Sequence, residues 1–307
     1  MKFKRVDGDR LFLDSRDLIA LVEHGRPVNA REFAKELTDR PARIVLTYTN
    51  VTELLPRNAA GGVERSRALA LVEELERLPL AFLRQPDLAR REFEEARRAF
   101  AERRRPRLLH PYVDQWWETF SRIPSEFVPH LRPKLYGALR RMTLSEEISA
   151  LLDSGDDLGE KPDHVAMLAE ALDEDRARHG SKRGVAETWL AAIQKSFMRF
   201  GWPEPDGGYE AFAQFVKETP EACPGWSIGV AVYEESRSNI TSRVKSGDIT
   251  DFSHVHFLPY VMHATLDRAW RSRCAQAAQR LVREGHPEQA LQRIYANLAE
   301  VRAAWAG

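Results

Sequence analysis

Five acids in this 307-residue chain stand where carboxylates could act together. Asp14 closes the apolar run LFL, Glu53 falls in the first turn after IVLTYT, and Asp267 follows HATL. Asp248 and Asp251, in GDITDF, are three residues apart and would share one face of a helix. Carboxylates gathered at one point repel one another unless a cation sits among them. An all-oxygen ligand set of this kind suits Mg2+ or Mn2+ rather than zinc. Each acid also has an ordinary use. Asp14 and Asp267 suit helix N-caps, and Asn50-x-x-Glu53 resembles a capping box with Asn in the first place. Capping explains the acids singly, whereas a metal site explains them together.

Those positions carry meaning only through the elements that hold them. Arg10 to Leu13 predicts a short strand, and SRDLIALVEHG has apolar residues at helical spacing before Gly25. A second helix is expected from about Asn29 to Leu37 and a strand over 43–49. Asn50-Val51-Thr52-Glu53 then opens another helix. A helix from about Val63 to Arg77 leads to PLAFLRQ, a third strand candidate. Residues 87–105 read as a strongly charged helix, and the pattern stays helical to about Gly247. VMHATL is a late strand candidate, followed by helices over Arg268 to Arg283 and about Pro287 to Trp305. Strands alternating with helices predict an α/β fold with a parallel sheet. Its core would be built from the two ends of the chain, over residues 1–84 and 237–307, with a mainly α-helical insertion over 85–236. The acids would then gather beyond the carboxyl ends of the strands, where open parallel sheets place their functional groups.

Composition narrows the classes. With 43% hydrophobic and 30% charged residues the chain is globular rather than disordered. Lys and Arg total 46 and so do Asp and Glu, so no global basic field exists and a polyanion would need a local patch. Cys223 and Cys274 have neither metal spacing nor a disulfide framework and read as buried thiols of a reducing compartment. The N-terminus is too charged for a signal peptide and no apolar run reaches membrane-span length, so a cytoplasmic location without membrane attachment is expected.

The order LFLDSRDLIAL, IVLTYTNVTELL, GDITDFSHVHFLPY, HATLDRAW resembles that of PIN-domain ribonucleases over about residues 1–56 and 246–283. The resemblance implies a PIN-like three-layer core. It also implies four metal-binding acids: Asp14 first, Glu53 second, Asp251 with its neighbour Asp248 third, and Asp267 fourth. The activity implied is hydrolysis of phosphodiester bonds in RNA by water activated on carboxylate-bound Mg2+ or Mn2+. No P-loop, nucleophile elbow or HExxH motif offers another chemistry. Small members of the family serve as toxins, so an inhibitory, antitoxin-like protein is a partner to consider beside RNA. A homodimer is left open, as is a PIN-like scaffold whose acids only cap helices.

Basic residues near the late acids are the expected substrate contacts: Arg237, Arg243 and Lys245 just before the window, and His254 three residues after Asp251. His254 could bond a ligand carboxylate or a phosphate, or could simply pack near the sheet. His254 and His256 cannot chelate together on a helix, so the histidines are discounted as metal ligands. A second basic feature is the heptad recurrence of Arg90-Arg91, Arg97-Arg98 and Arg104-Arg105. It reads either as a phosphate-binding stripe or as a helix face paired with Glu94 and Glu95. Trp116-Trp117 with Phe120 reads as core more readily than as a base-stacking platform.

Overall fold

The computed structural model describes residues 6–23, 27–55, 63–84, 88–119, 141–153, 173–177, 185–219, 221–238, 252, 254–283 and 293–306. Asp248, Asp251, Arg243 and Lys245 lie outside the described residues. Described strands are β1 (Asp9–Phe12), β2 (Ala42–Leu46), β3 (Leu80–Leu83), β4 (Tyr112–Val113), β5 (His263–Thr265) and β6 (Ile294–Tyr295). They form one sheet in the order β4-β3-β2-β1-β5-β6. Every pairing is parallel except β3 with β4.

Short apolar runs make these strands because both faces of the sheet are covered, the condition that gives central parallel strands continuous hydrophobic sequences. Period-two alternation divides their side chains. Leu11, Ile44 and Leu46 enter one core, while Phe12, Val45, Ala81 and Leu83 enter the other. The first core is closed by α1 (Ser15–Glu23), α2 (Pro27–Asp39), α3 (Tyr48–Leu54), α4 (Val63–Glu76), α6 (Leu144–Asp153) and α11 (Leu298–Ala306). The second is closed by α5 (Leu88–Ala101), α7 (Val185–Phe200), α8 (Gly208–Glu218), α9 (Pro224–Ser238) and α10 (Arg268–Arg283). The fold is therefore α/β, with helices on both faces of a mixed, mostly parallel sheet.

The described residues within 85–236, a span read from the sequence as an insertion, pack into this core. They supply the edge strand β4 and most of the cover of one sheet face. Phe93, Phe197, Phe212 and Trp226 meet there through edge-on and tilted aromatic contacts. The last helix is also shorter than expected, because Ile294–Tyr295 pairs with β5 before α11 begins at Leu298.

One buried acid ties this face together. Glu92, on α5, accepts backbone N–H bonds from Gly225 (2.9 Å) and Trp226 (2.8 Å) and a bond from the Tyr260 hydroxyl. Gly225 and Trp226 lie in the first turn of α9, whose preceding residue is Cys223, a poor capping group. Glu92 thus caps a helix more than a hundred residues away. The close approach requires glycine: a Cβ at Gly225 would fall 2.0 Å from the His256 carbonyl oxygen, and one at Gly229 2.1 Å from the His256 ring.

Burial pushes Glu92 up to about 7 despite its three donors. A carboxyl group raised this way binds its proton more tightly folded than unfolded. Its contribution is favourable below the unfolded value near 4.5 and is lost as pH rises through about 7. His256, lowered by burial, works against the fold at acid pH, so the Glu92 effect must be isolated by difference. Glu92→Gln is expected to gain roughly 3 kcal/mol relative to wild type between pH 4.5 and 7. Denaturant titrations of both proteins across that range check it, and a constant difference contradicts it.

Candidate functional site

The chain winds outward from β1 through β2 to β3, then returns to the other side of β1 as β5. The carboxyl ends of β1 and β5 therefore flank the switch point, where neighbouring connections leave in opposite directions and open a crevice. Asp14 lies two residues beyond β1 and Asp267 two beyond β5. The two ends are fastened together, since the Asp14 N–H donates to Thr265 Oγ1 at 2.9 Å.

Asp14 is partly buried and precedes α1; its carbonyl accepts from the Asp17 and Leu18 N–H groups. Burial raises its pKa above the ordinary carboxylate value. The Arg16 guanidinium and the Ser15 N–H pull the other way, while Asp17 and Asp267 push it up further. Asp267 caps α10 through Oδ1, which accepts from the Trp270 N–H at 2.8 Å. The capping use expected of Asp267 is thus present, and its charge is the smallest of the contributions acting on Asp14. Asp17, in the first turn of α1, is also buried, and its Oδ2 has no hydrogen-bond partner among the described residues; Arg16 lies 3.7 Å away.

Glu53 reaches the same neighbourhood indirectly. It sits in the last turn of α3, where its Oε2 accepts from the hydroxyl of Ser15, the residue after Asp14. Its place in the helix differs from the expectation because the capping box forms one turn earlier. Thr47 is the N-cap: its Oγ1 accepts from the Asn50 N–H at 3.2 Å and the Asn50 Oδ1 accepts from the Thr47 N–H at 3.1 Å. Tyr48 and Thr49 are accordingly helical rather than the end of the strand. Asn50, fully buried, also donates from Nδ2 to the Leu13 carbonyl at 3.2 Å, so it fixes the backbone immediately before Asp14.

Asp14, Asp267 and, through Ser15, Glu53 are the expected site residues that the structure brings toward one edge. Among the described residues no three of His, Cys, Asp and Glu come together as a metal-holding group. Two expected substrate contacts are placed elsewhere. Arg237 has a fully buried side chain paired with Glu234 within α9, so its guanidinium is enclosed by protein. His254 is buried between Phe12 and Phe257, with ring centroids 5.0 and 5.5 Å away, which matches packing near the sheet. His263 begins β5 and stacks on Tyr295 at the opposite end of the strand from Asp267. Trp116 is core, stacked on Tyr48 at 5.8 Å; the Trp117 side chain and Phe120 lie outside the described residues.

Sequence reasoning passed over Ser15, Asp17, Asn50 and Thr265 as site residues. Their signal was adjacency: each lies within three residues of an expected ligand or a strand end. Among the described residues, no helix is long and apolar enough to cross a membrane. Comparison with family models, with curated proteins and with solved structures yields no match.

The acid pair has a consequence for stability. A carboxylate held partly buried beside like charges costs the metal-free fold free energy, and its raised pKa means that cost grows as pH rises. Asp14→Asn is therefore expected to raise Tm in EDTA at neutral pH by about 1–3 °C. Asn50→Leu is expected to lower Tm, because it strands buried partners at a cost of about 1–3 kcal/mol. Thermal melts of the two variants check this; a drop in Tm for Asp14→Asn contradicts the repulsion.

Proposed function

We propose that this chain is a divalent-metal-dependent nuclease of the PIN-like kind, hydrolysing phosphodiester bonds in RNA. The observation that carries the reading is the placement of Asp14 and Asp267, each two residues beyond the carboxyl end of neighbouring parallel strands at the switch point of the sheet, with the strand ends fastened by the Asp14 N–H bond to Thr265 Oγ1. Free energy spent on holding like charges together marks sites where the charge is used. A cation is the ordinary means of using it.

The donors fit a hard ion. Asp14 and Asp267 supply carboxylate oxygens that would hold Mg2+ or Mn2+. Glu53, oriented by Ser15, is the next acid in line, and Asp248 or Asp251 would complete the set from the segment before β5. A bound divalent ion supplies an acidified water and Lewis-acid stabilisation of charge on the phosphate oxygens. The chain's own residues do the positioning. The Thr265 hydroxyl and the Asn50 amide hold the backbone on either side of the Leu13–Asp14 peptide, and the Ser15 hydroxyl fixes Glu53. RNA over DNA, and an inhibitory protein partner, rest on the sequence resemblance alone.

A second reading has its own observation. Asp267 spends Oδ1 on the Trp270 N–H and Glu53 accepts the Ser15 hydroxyl, which is the behaviour of acids retained for structure. In that case the chain is a PIN-like scaffold or regulatory module without hydrolytic activity.

An RNA-cleavage assay with Mg2+ or Mn2+ separates the two. The nuclease reading expects metal-dependent cleavage by wild type and a loss of at least roughly 10²-fold in Asp14→Asn and in Asp267→Asn, the upper range for outer groups of metal sites. Absence of cleavage from wild type favours the scaffold, and cleavage that survives unchanged in both variants removes Asp14 and Asp267 from the active site.

A further inference from the structure

The arginines from α5 to the start of β4 divide into two sets. Arg90 pairs with Glu94 at 3.0 Å, Arg97 lies over the Trp202 ring at 4.9 Å, and Arg104 is held by Glu95 and Glu102. Half of the expected stripe is thus engaged by the protein's own groups, Arg90 and Arg104 in ion pairs and Arg97 on an aromatic ring. Arg103, Arg105 and Arg107 are different. All three are exposed, and their guanidinium groups have no hydrogen-bond or ion-pair partner among the described residues. The local acids are already committed. Glu95 Oε1 accepts from Arg104 Nη1 at 2.7 Å and from the Arg107 N–H at 2.8 Å, and Glu102 faces Arg104. In a chain with as many acids as bases, this stretch carries four arginines in five residues against the two acids that face Arg104, a local surplus of two positive charges.

The backbone adds an independent observation. Helix α5 ends in a Schellman motif: the Arg104 N–H bonds to the Ala99 carbonyl at 3.0 Å and the Arg103 N–H to the Phe100 carbonyl at 3.1 Å. Arg103 occupies the left-handed position of that motif, at φ +50°, and is the only non-glycine with positive φ among the described residues. Glycine takes this conformation without the Cβ penalty that arginine bears. The packing of the protein gives no account of an arginine at this position, since its side chain is turned to solvent.

The segment also leads to the right edge of the sheet. β4 is antiparallel to β3, Tyr112 pairs with Leu83, and the Arg84 N–H bonds to the Pro111 carbonyl at 2.8 Å. The chain from Arg107 therefore enters the sheet at its carboxyl edge, the edge beyond which Asp14 and Asp267 lie. β4 is three strands from β1, about 14 Å at the usual strand spacing. Buried Pro106 and the Glu95 bonds hold the segment in place while its arginines face outward.

We propose that Arg103, Arg105 and Arg107 form a phosphate-binding ridge that holds a single-stranded polynucleotide leading to the carboxyl edge of the sheet. Guanidinium groups grip phosphate oxygens bidentately, and three of them within five residues can follow a flexible backbone. That the strand is RNA rests on the nuclease reading; the ridge itself does not.

The test is fluorescence-anisotropy binding of an unstructured RNA to the full chain in EDTA, where cleavage cannot intervene, over a series of salt concentrations. Replacing all three arginines by alanine is expected to weaken binding about tenfold or more near 0.1 M salt. It is also expected to reduce the slope of log affinity against log salt by about 2, at about 0.7 per phosphate contact. Arg103→Gly sharpens the test, because it relieves the backbone while removing the charge: Tm should rise by about 2 °C as affinity falls. Unchanged affinity and slope in the triple variant overturn the proposal, as does capture of polyglutamate in preference to RNA. Because binding is read without metal and cleavage with it, the two readings are told apart. A wild type that binds RNA through the ridge but does not cleave it in Mg2+ fails the nuclease reading alone, and a wild type that cleaves RNA while the triple variant binds unchanged fails the ridge alone.

Discussion

When a parallel sheet is wound outward on one side of a strand and later resumes on its other side, the connections on the two sides run in opposite directions, and β1 is such a strand. Its Leu11 and Phe12 are buried in two different cores, so its register is locked by both faces at once. Whatever follows Phe12 is then delivered to the gap between diverging connections. Asp14 is placed by that constraint before any side-chain interaction is counted. Thr265, at the end of the strand on the other side of β1, closes the gap by accepting the Asp14 N–H, and Asn50 braces it through the Leu13 carbonyl. The candidate site is a property of how the sheet is wound.

Much of this was legible because parallel strands buried on both faces leave a plain trace, an apolar run that stops at a polar turn. LFLD, RIVL, LAFL and HATL all become strands, and each of the two acids that end such runs comes to lie at the switch point. The two-residue strands β4 and β6 left no such trace. Tyr112–Val113 and Ile294–Tyr295 are too short for alternation to register, and pairing to a partner far along the chain makes them strands. The start of α3 was misplaced for a different reason. Thr47, Tyr48 and Thr49 favour strands by type, yet a Thr47 hydroxyl free to cap Asn50 outweighs that preference.

The candidate contacts that sequence adjacency suggested show the limit of reading charge without burial. Arg237 stands near the late acids in the sequence, but Glu234 one helical turn before it satisfies its guanidinium within α9. That i,i+3 pair was visible; that the helix would be buried on that side was not. His254 likewise follows the apolar Phe252-x-x-Val255 pattern into the core. The arginines in and beyond α5 repeat the lesson in reverse: of the heptad stripe, Arg90, Arg97 and Arg104 are engaged by other side chains, while Arg105, with Arg103 and Arg107 outside the stripe, faces outward. Glu92 turns inward to cap α9, an assignment no local pattern announces.

The central claim is that Asp14 and Asp267 share a divalent ion. Crystals of the full chain soaked in Mn2+ and measured near the manganese absorption edge address it directly. An anomalous difference peak between the Asp14 and Asp267 carboxylates, absent from Asp14→Asn crystals treated alike, is the expected result. Well-ordered Asp14 and Asp267 side chains with no peak between them at millimolar Mn2+ would contradict the account.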